Sequence, residues 1–98
     1  MNASAAFVNF ETPPVHPIDL SPDGAIIAVT NTAAGLLDIY DVTSGVPERR
    51  GSVQVGVDPV SVRFRTNAEA WVVNHISDSV SIVDTVAQRV TATIATGD

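Results

Sequence analysis

The stretch WVVNHISDSVSIVDT, residues 71–85, repeats the plan of AVTNTAAGLLDIYDV, residues 28–42. Each is an apolar run closed by Asn, then a few small residues, a second alternating run and Asp. Asn31 and Asn74, Ile39 and Ile82, and Asp41 and Asp84 share one offset, and Pro17 and Pro59 keep it to within one residue. The gap falls in the turn that reads Ser21-Pro22-Asp23-Gly24 in the first copy and Arg65-Thr66-Asn67-Ala68-Glu69 in the second, where length changes are tolerated. Period-two alternation recurs in short bursts separated by Gly, Pro, Asn, Asp and Ser about every 8–12 residues, which predicts an all-β chain without a helix. A repeat of roughly 43 residues holding four short strands has the period of a β-propeller blade, and sandwiches do not repeat this way.

The predicted strands are Phe7–Phe10, Pro17–Leu20, Ala25–Thr30, Leu36–Val42, Ser52–Val55, Val60–Arg65, Ala70–Asn74, Ser79–Asp84 and Arg89–Ala95. They divide into a stub with one outer strand over 1–15, a first blade over 16–56 and a second over 57–98. The expected fold is therefore an all-β propeller fragment, two four-stranded antiparallel blades plus an N-terminal outer strand. In the first blade the outer strand is expected only after a long loop, TSGVPERRG. In both, the second strand reads as a near-continuous apolar run, because a middle strand packs on both faces. Propellers close with about four to eight blades, and about three repeats are needed for independent stability. Two blades are thus expected to be an arc of a longer propeller, partnered by its remaining blades or by self-association through blade faces.

Composition narrows the function classes. Eleven acidic against five basic residues give a formal charge of −6, without the basic stripe that phosphate binding needs, so nucleic acid is not an expected partner. With 45% hydrophobic and 16% charged residues, the chain can bury a core. The absence of cysteine excludes disulfides, thiolate zinc sites and a cysteine nucleophile. No apolar run is long enough to span a membrane. The start, MNASAAF, has the small residues of a signal-peptidase site but no basic and apolar regions before them, so it is expected to be either a frayed terminus or a start just downstream of an export signal, without a complete signal peptide.

The segment WVVNHISDSVSIVDTVAQRVTATIATGD resembles the YVTN-type β-propeller repeat. Trp71-Val72-Val73-Asn74 takes the YVTN position, and Val29-Thr30-Asn31 keeps its last three residues in the first copy. The resemblance covers about residues 16–98. It implies a seven-bladed propeller when complete, in an exported parent that is periplasmic, extracellular or on the cell surface. It also implies relatives among lactonase-like hydrolases and quinoprotein-like or cytochrome d1-like oxidoreductases. The expected function is a binding or scaffolding module for protein, glycan or a small ligand. The alternative is part of an enzyme whose site draws on several blades.

In a propeller the loops that precede the first strand and those between the second and third strands of each blade emerge on one face. Sorting polar residues by loop places His16, Asp58, His75, Ser77 and Asp78 there, with Thr32. Two readings are open. His16 and His75 supply imidazoles to one site completed by Asp78 or Asp58. Alternatively, His75 and Asp78 satisfy turn backbone groups and His16 precedes a proline in a solvated loop. The two histidines lack metal-ligand spacing, which favours the second reading. No catalytic residue, metal or cofactor is expected. Asn31 and Asn74 are read as strand-closing turn residues, and Asp41 and Asp84 as acceptors of turn N–H groups. Trp71 is read as a packing residue between blades.

Overall fold

In the computed structural model the described residues are 16–96. The expected strand Phe7–Phe10, the rest of the N-terminal stub and Gly97-Asp98 lie outside them. The described residues form eight strands and no helix: β1 (Ile18–Leu20), β2 (Ile26–Asn31), β3 (Leu36–Asp41), β4 (Glu48–Gln54), β5 (Pro59–Phe64), β6 (Glu69–Asn74), β7 (Ser79–Asp84) and β8 (Arg89–Ala95). They pair in sequence order into two antiparallel four-stranded sheets, β1-β2-β3-β4 and β5-β6-β7-β8, blades 1 and 2.

Short-range chemistry explains the turns. Gly24 adopts φ 75° in the SPDG turn, a left-handed conformation that costs glycine little, and its N–H reaches Ser21 O at 2.8 Å. Asp41 Oδ1 accepts Thr43 N–H at 2.8 Å, and Asp84 Oδ1 accepts the Val86 and Ala87 N–H groups at 2.9 Å. Both therefore close strands as acceptors of turn amides.

Blade 1 departs from expectation at its outer strand. β4 begins at Glu48 rather than Ser52, so the long loop shrinks to the residues around Val46-Pro47. A bulge opposite Ile39/Tyr40, next to Gly51, lets Arg49 and Glu48 stay paired with Tyr40 and Asp41. Arg50 Nη1 anchors the added length on Asp41 Oδ2 at 3.2 Å, and Arg49 reaches Ser52 Oγ. Three consecutive charged residues, which read as a loop tip, are tolerated because this is an exposed edge.

Strand alternation sorts each blade into two faces. Ala28, Leu37, Ile39 and Val53 of blade 1 pack with Val62, Ala70, Val72 and Val83 of blade 2 in one buried cluster. Each large aliphatic side chain buried this way is worth about 1.5–3 kcal/mol. Polar contacts stitch the junction: Phe64 N–H donates to Asp19 Oδ2 at 2.7 Å, Thr32 Oγ1 to Pro59 O at 2.8 Å and Asp23 N–H to Asn67 Oδ1 at 2.9 Å. β8 is exposed along nearly its whole length.

Trp71 does not fill the space between these blades. It pairs with Arg63 and Ile82 on the side of blade 2 that faces away from blade 1. There Arg65 sits over its ring at 4.8 Å and Glu69 Oε2 accepts its indole N–H at 3.2 Å.

Candidate functional site

Three connections converge at one end of the junction: the β2–β3 turn, the β4–β5 connection and the β6–β7 turn. Asn74 fixes them. Its side chain is 1% exposed, its Oδ1 accepts the Gly56 N–H at 3.1 Å, and its Nδ2 donates to Ser79 Oγ at 3.2 Å and Ser81 Oγ at 2.9 Å. A strand-end asparagine thus spans the two blades instead of closing its own turn. Gly56 permits the approach, since a Cβ there would lie 2.6 Å from Asn74 Cγ and from Ser77 Oγ. Asn31 behaves as expected for a turn residue, its Oδ1 accepting the Ala34 N–H at 3.3 Å. The difference was written in β7, where Ser79 and Ser81 stand at the positions that Leu36 and Asp38 hold in β3.

The clamp brings Asp58 and His75 together. His75 N–H donates to Asp58 O at 2.9 Å, and His75 Nδ1 lies 3.6 Å from Asp58 Oδ2. Asp58 sits at φ 63°, in the sparse left-handed region, with its side chain only 12% exposed. Its Oδ2 is buried without a hydrogen-bond partner among the described residues. At 3.6 Å the imidazole exceeds hydrogen-bond distance, so the attraction is Coulombic and exists when His75 carries a proton. Ser77 Oγ accepts the Val57 N–H at 3.2 Å and shares a hydrogen bond with Ser79 Oγ at 2.9 Å. Asp78 adopts φ 49°, its N–H donating to His75 O at 3.3 Å and its carbonyl accepting the Thr96 N–H at 2.9 Å. A shallow hollow of about 280 Å³ lined by Thr32, Ala33, Val57, Asp58 and Ile76 opens beside the pair.

His16 is engaged elsewhere. It does not lie in a solvated loop but forms a parallel bridge to Ser61, its N–H donating to Val60 O at 3.3 Å and its carbonyl accepting the Val62 N–H at 2.9 Å. Its Nε2 lies 3.6 Å from Asp19 Oδ1. The structure thus makes two separate His–Asp pairs, one on the innermost strand and one on the loop face. Among the described residues no three His, Asp or Glu groups gather closely enough to hold a metal ion.

Away from the site, two carboxylates lie below the usual range. Hydrogen bonds from the Thr43 hydroxyl and amide, helped by Arg50, hold Asp41 down, and bonds from Ser21 and the Ala25 amide do the same for Asp23.

No protein-family model matches the chain, and no curated protein matches it. Solved structures do. A hydrazine synthase of Kuenenia stuttgartiensis is similar over 98% of this chain, with a TM-score of 0.77 and 27% identity. Hsv2 of Kluyveromyces lactis is similar over 88%, with a TM-score of 0.59 and 18% identity. Both are β-propeller proteins, and the likeness to them assigns this chain the fold of a propeller fragment. The chain spans 28% of the length of the first and 25% of the second.

Proposed function

We propose that this chain is a two-blade β-propeller module of the YVTN-repeat type that binds or scaffolds through its loop face, while its blade faces meet further blades. The observation that carries this reading is the convergence of loops from both blades on Asp58, His75 and Ser77. The exposed Val57 and Ile76 flank a largely buried carboxylate there. Rigid blades fix such loops in place while leaving their sequence free to vary, which is how repeat scaffolds build contact surfaces. Exposed aliphatic side chains around a charged group suit a protein surface better than a glycan. His75, Ser77 and Asp78 are the rim of this contact, and Asp58 is its centre. His16, bridged to Ser61 and paired with Asp19, stands apart from this contact.

The test is a peptide and glycan array probed with the labelled chain and with a His75→Ala/Ile76→Ser variant of equal circular dichroism. Loss of the array signal in the variant supports the loop face, and an unchanged signal overturns it. With the YVTN-type reading comes an exported location, which protease shaving of intact cells would test.

A second reading is favoured by the likeness to a hydrazine synthase. In it the arc belongs to an enzyme, a lactonase-like hydrolase or a quinoprotein-like or cytochrome d1-like oxidoreductase. Its site would draw residues from several blades, with Asp58 and His75 as this arc's share. A His75→Ala change that abolishes turnover of the full-length protein while sparing array binding would favour this reading over the first.

A further inference from the structure

The repeat relates the faces of the two blades as well as their strands. The face of blade 1 turned away from blade 2 carries Ile18, Leu20, Ile27, Val29 and Tyr40. Their repeat counterparts are Val60, Val62, Ala70, Val72 and Val83, the side chains that blade 2 buries. The outward face of blade 2 carries Trp71, Val73, Val80 and Ile82. Their counterparts are Ala28, Thr30, Leu37 and Ile39, which blade 1 buries. The two unpartnered faces are therefore the two opposite halves of a contact the molecule already makes once. Both expose large aliphatic side chains: Ile18 is 51% exposed and Val73 43%.

The halves also match in shape. The outward face of blade 1 has an apolar hollow of about 270 Å³ lined by Ile18, Ile27, Val29, Tyr40 and Pro47. Where the internal junction places the small Ala28 in a close-packed cluster, the outward face of blade 2 presents the large Trp71. A large side chain on one face and a hollow on the other are complementary in shape. Both belong to this chain.

We infer that the occupant of these faces is a second copy of this chain, stacked head-to-tail with blade 1 of one copy on blade 2 of the next. The inference rests on the reading of the chain as a propeller arc and not on its loop face. The contact is heterologous, so successive copies close if the rotation permits. Propellers close with about four to eight blades, which sets the ring at roughly two to four copies. Trp71 enters the hollow between Ile27 and Tyr40 of the neighbouring copy, carrying the stacked Arg65 to its rim.

Light scattering on the purified chain, with two single variants, tests this. The wild type is expected at two to four times the 10.2 kDa chain mass. Val73→Lys spoils only the blade 2 face and Ile18→Lys only the blade 1 face. Both positions are half-exposed and lie outside the buried cluster that joins the two blades, so each variant is expected to be a monomer that this cluster keeps folded, by circular dichroism. An equimolar mixture retains one intact face of each kind and is expected to form a heterodimer that does not grow further. A mixture that stays monomeric while the wild type assembles overturns the head-to-tail geometry, as does either variant alone still assembling. A wild type that stays monomeric overturns the inference altogether: if β-rich, the faces belong to other blades and the propeller-arc reading stands, whereas an unfolded monomer means that the two blades need further blades even to fold.

Discussion

Asn74→Ala offers a quantitative test of the junction, because the amide holds together groups from two blades. The substitution removes three hydrogen bonds, from Gly56 N–H and to Ser79 and Ser81. At about 1 kcal/mol net each, these amount to about 3 kcal/mol. The Gly56 amide is left part-buried without its acceptor, which adds about 1 kcal/mol, whereas Ser79 still has Ser77 as a partner. The expected loss is about 3–4 kcal/mol, a large share of the roughly 5–15 kcal/mol that holds a domain folded. Asn31→Ala is the internal control: it removes one turn bond of 3.3 Å at an exposed site and should cost below about 1 kcal/mol. Urea unfolding followed by Trp71 fluorescence, in the Val73→Lys background so that assembly does not contribute, reads both numbers. If the two asparagines cost the same within about 1 kcal/mol, the cross-blade clamp is not what holds the loop face together.

Three further outcomes follow from the same contacts. Gly56→Ala puts a Cβ 2.6 Å from Asn74 Cγ and from Ser77 Oγ and should cost about 2 kcal/mol, of which only the share due to the amide disappears in an Asn74→Ala background because Ser77 stays in place, measurable as a double-mutant cycle. Asp58→Asn should leave thermal stability within about 0.5 kcal/mol, because asparagine keeps the shape of the side chain and tolerates φ 63°. A larger loss there would mean that the carboxylate is held by a favourable partner. Asp41 and Asp23 are both more acidic folded than unfolded, so they stabilise the fold above the usual carboxylate range, and that contribution disappears as pH falls through their lowered values. Asp41→Asn should therefore flatten the acid limb of a stability–pH curve and leave neutral-to-basic pH dependence unchanged.

The strand order was legible because its signals are local. Asn, Asp and Gly fall at strand ends where their own backbone needs them, and seven of the eight strands start within a residue of expectation. The start of β4 was hidden because a bulge, not a residue preference, carries Glu48-Arg49-Arg50 into the ladder. The facing of Trp71 was hidden for another reason. Alternation shows that Trp71 and Val73 share a face, but which face meets blade 1 depends on the packing of the sheets. The same limit applied to Asn74, whose partner Gly56 lies in the connection from the preceding blade. Of the loop-face residues, Asp58, His75 and Ser77 converge, while His16 was grouped with them by loop order and is drawn instead to Asp19 by the bridge to Ser61.

The central claim is that the two sheets meet through one specific pair of faces, and methyl-labelled NMR tests it directly. Nuclear Overhauser contacts are expected between the methyls of Leu37 and Ile39 in blade 1 and those of Val62, Val72 and Val83 in blade 2. In the monomeric Val73→Lys variant none should run from the Trp71 ring to blade 1. Contacts from Trp71 to Ile39 or Leu37 within that monomer, with Val72 silent, would contradict the account, because blade 2 would then present its opposite face.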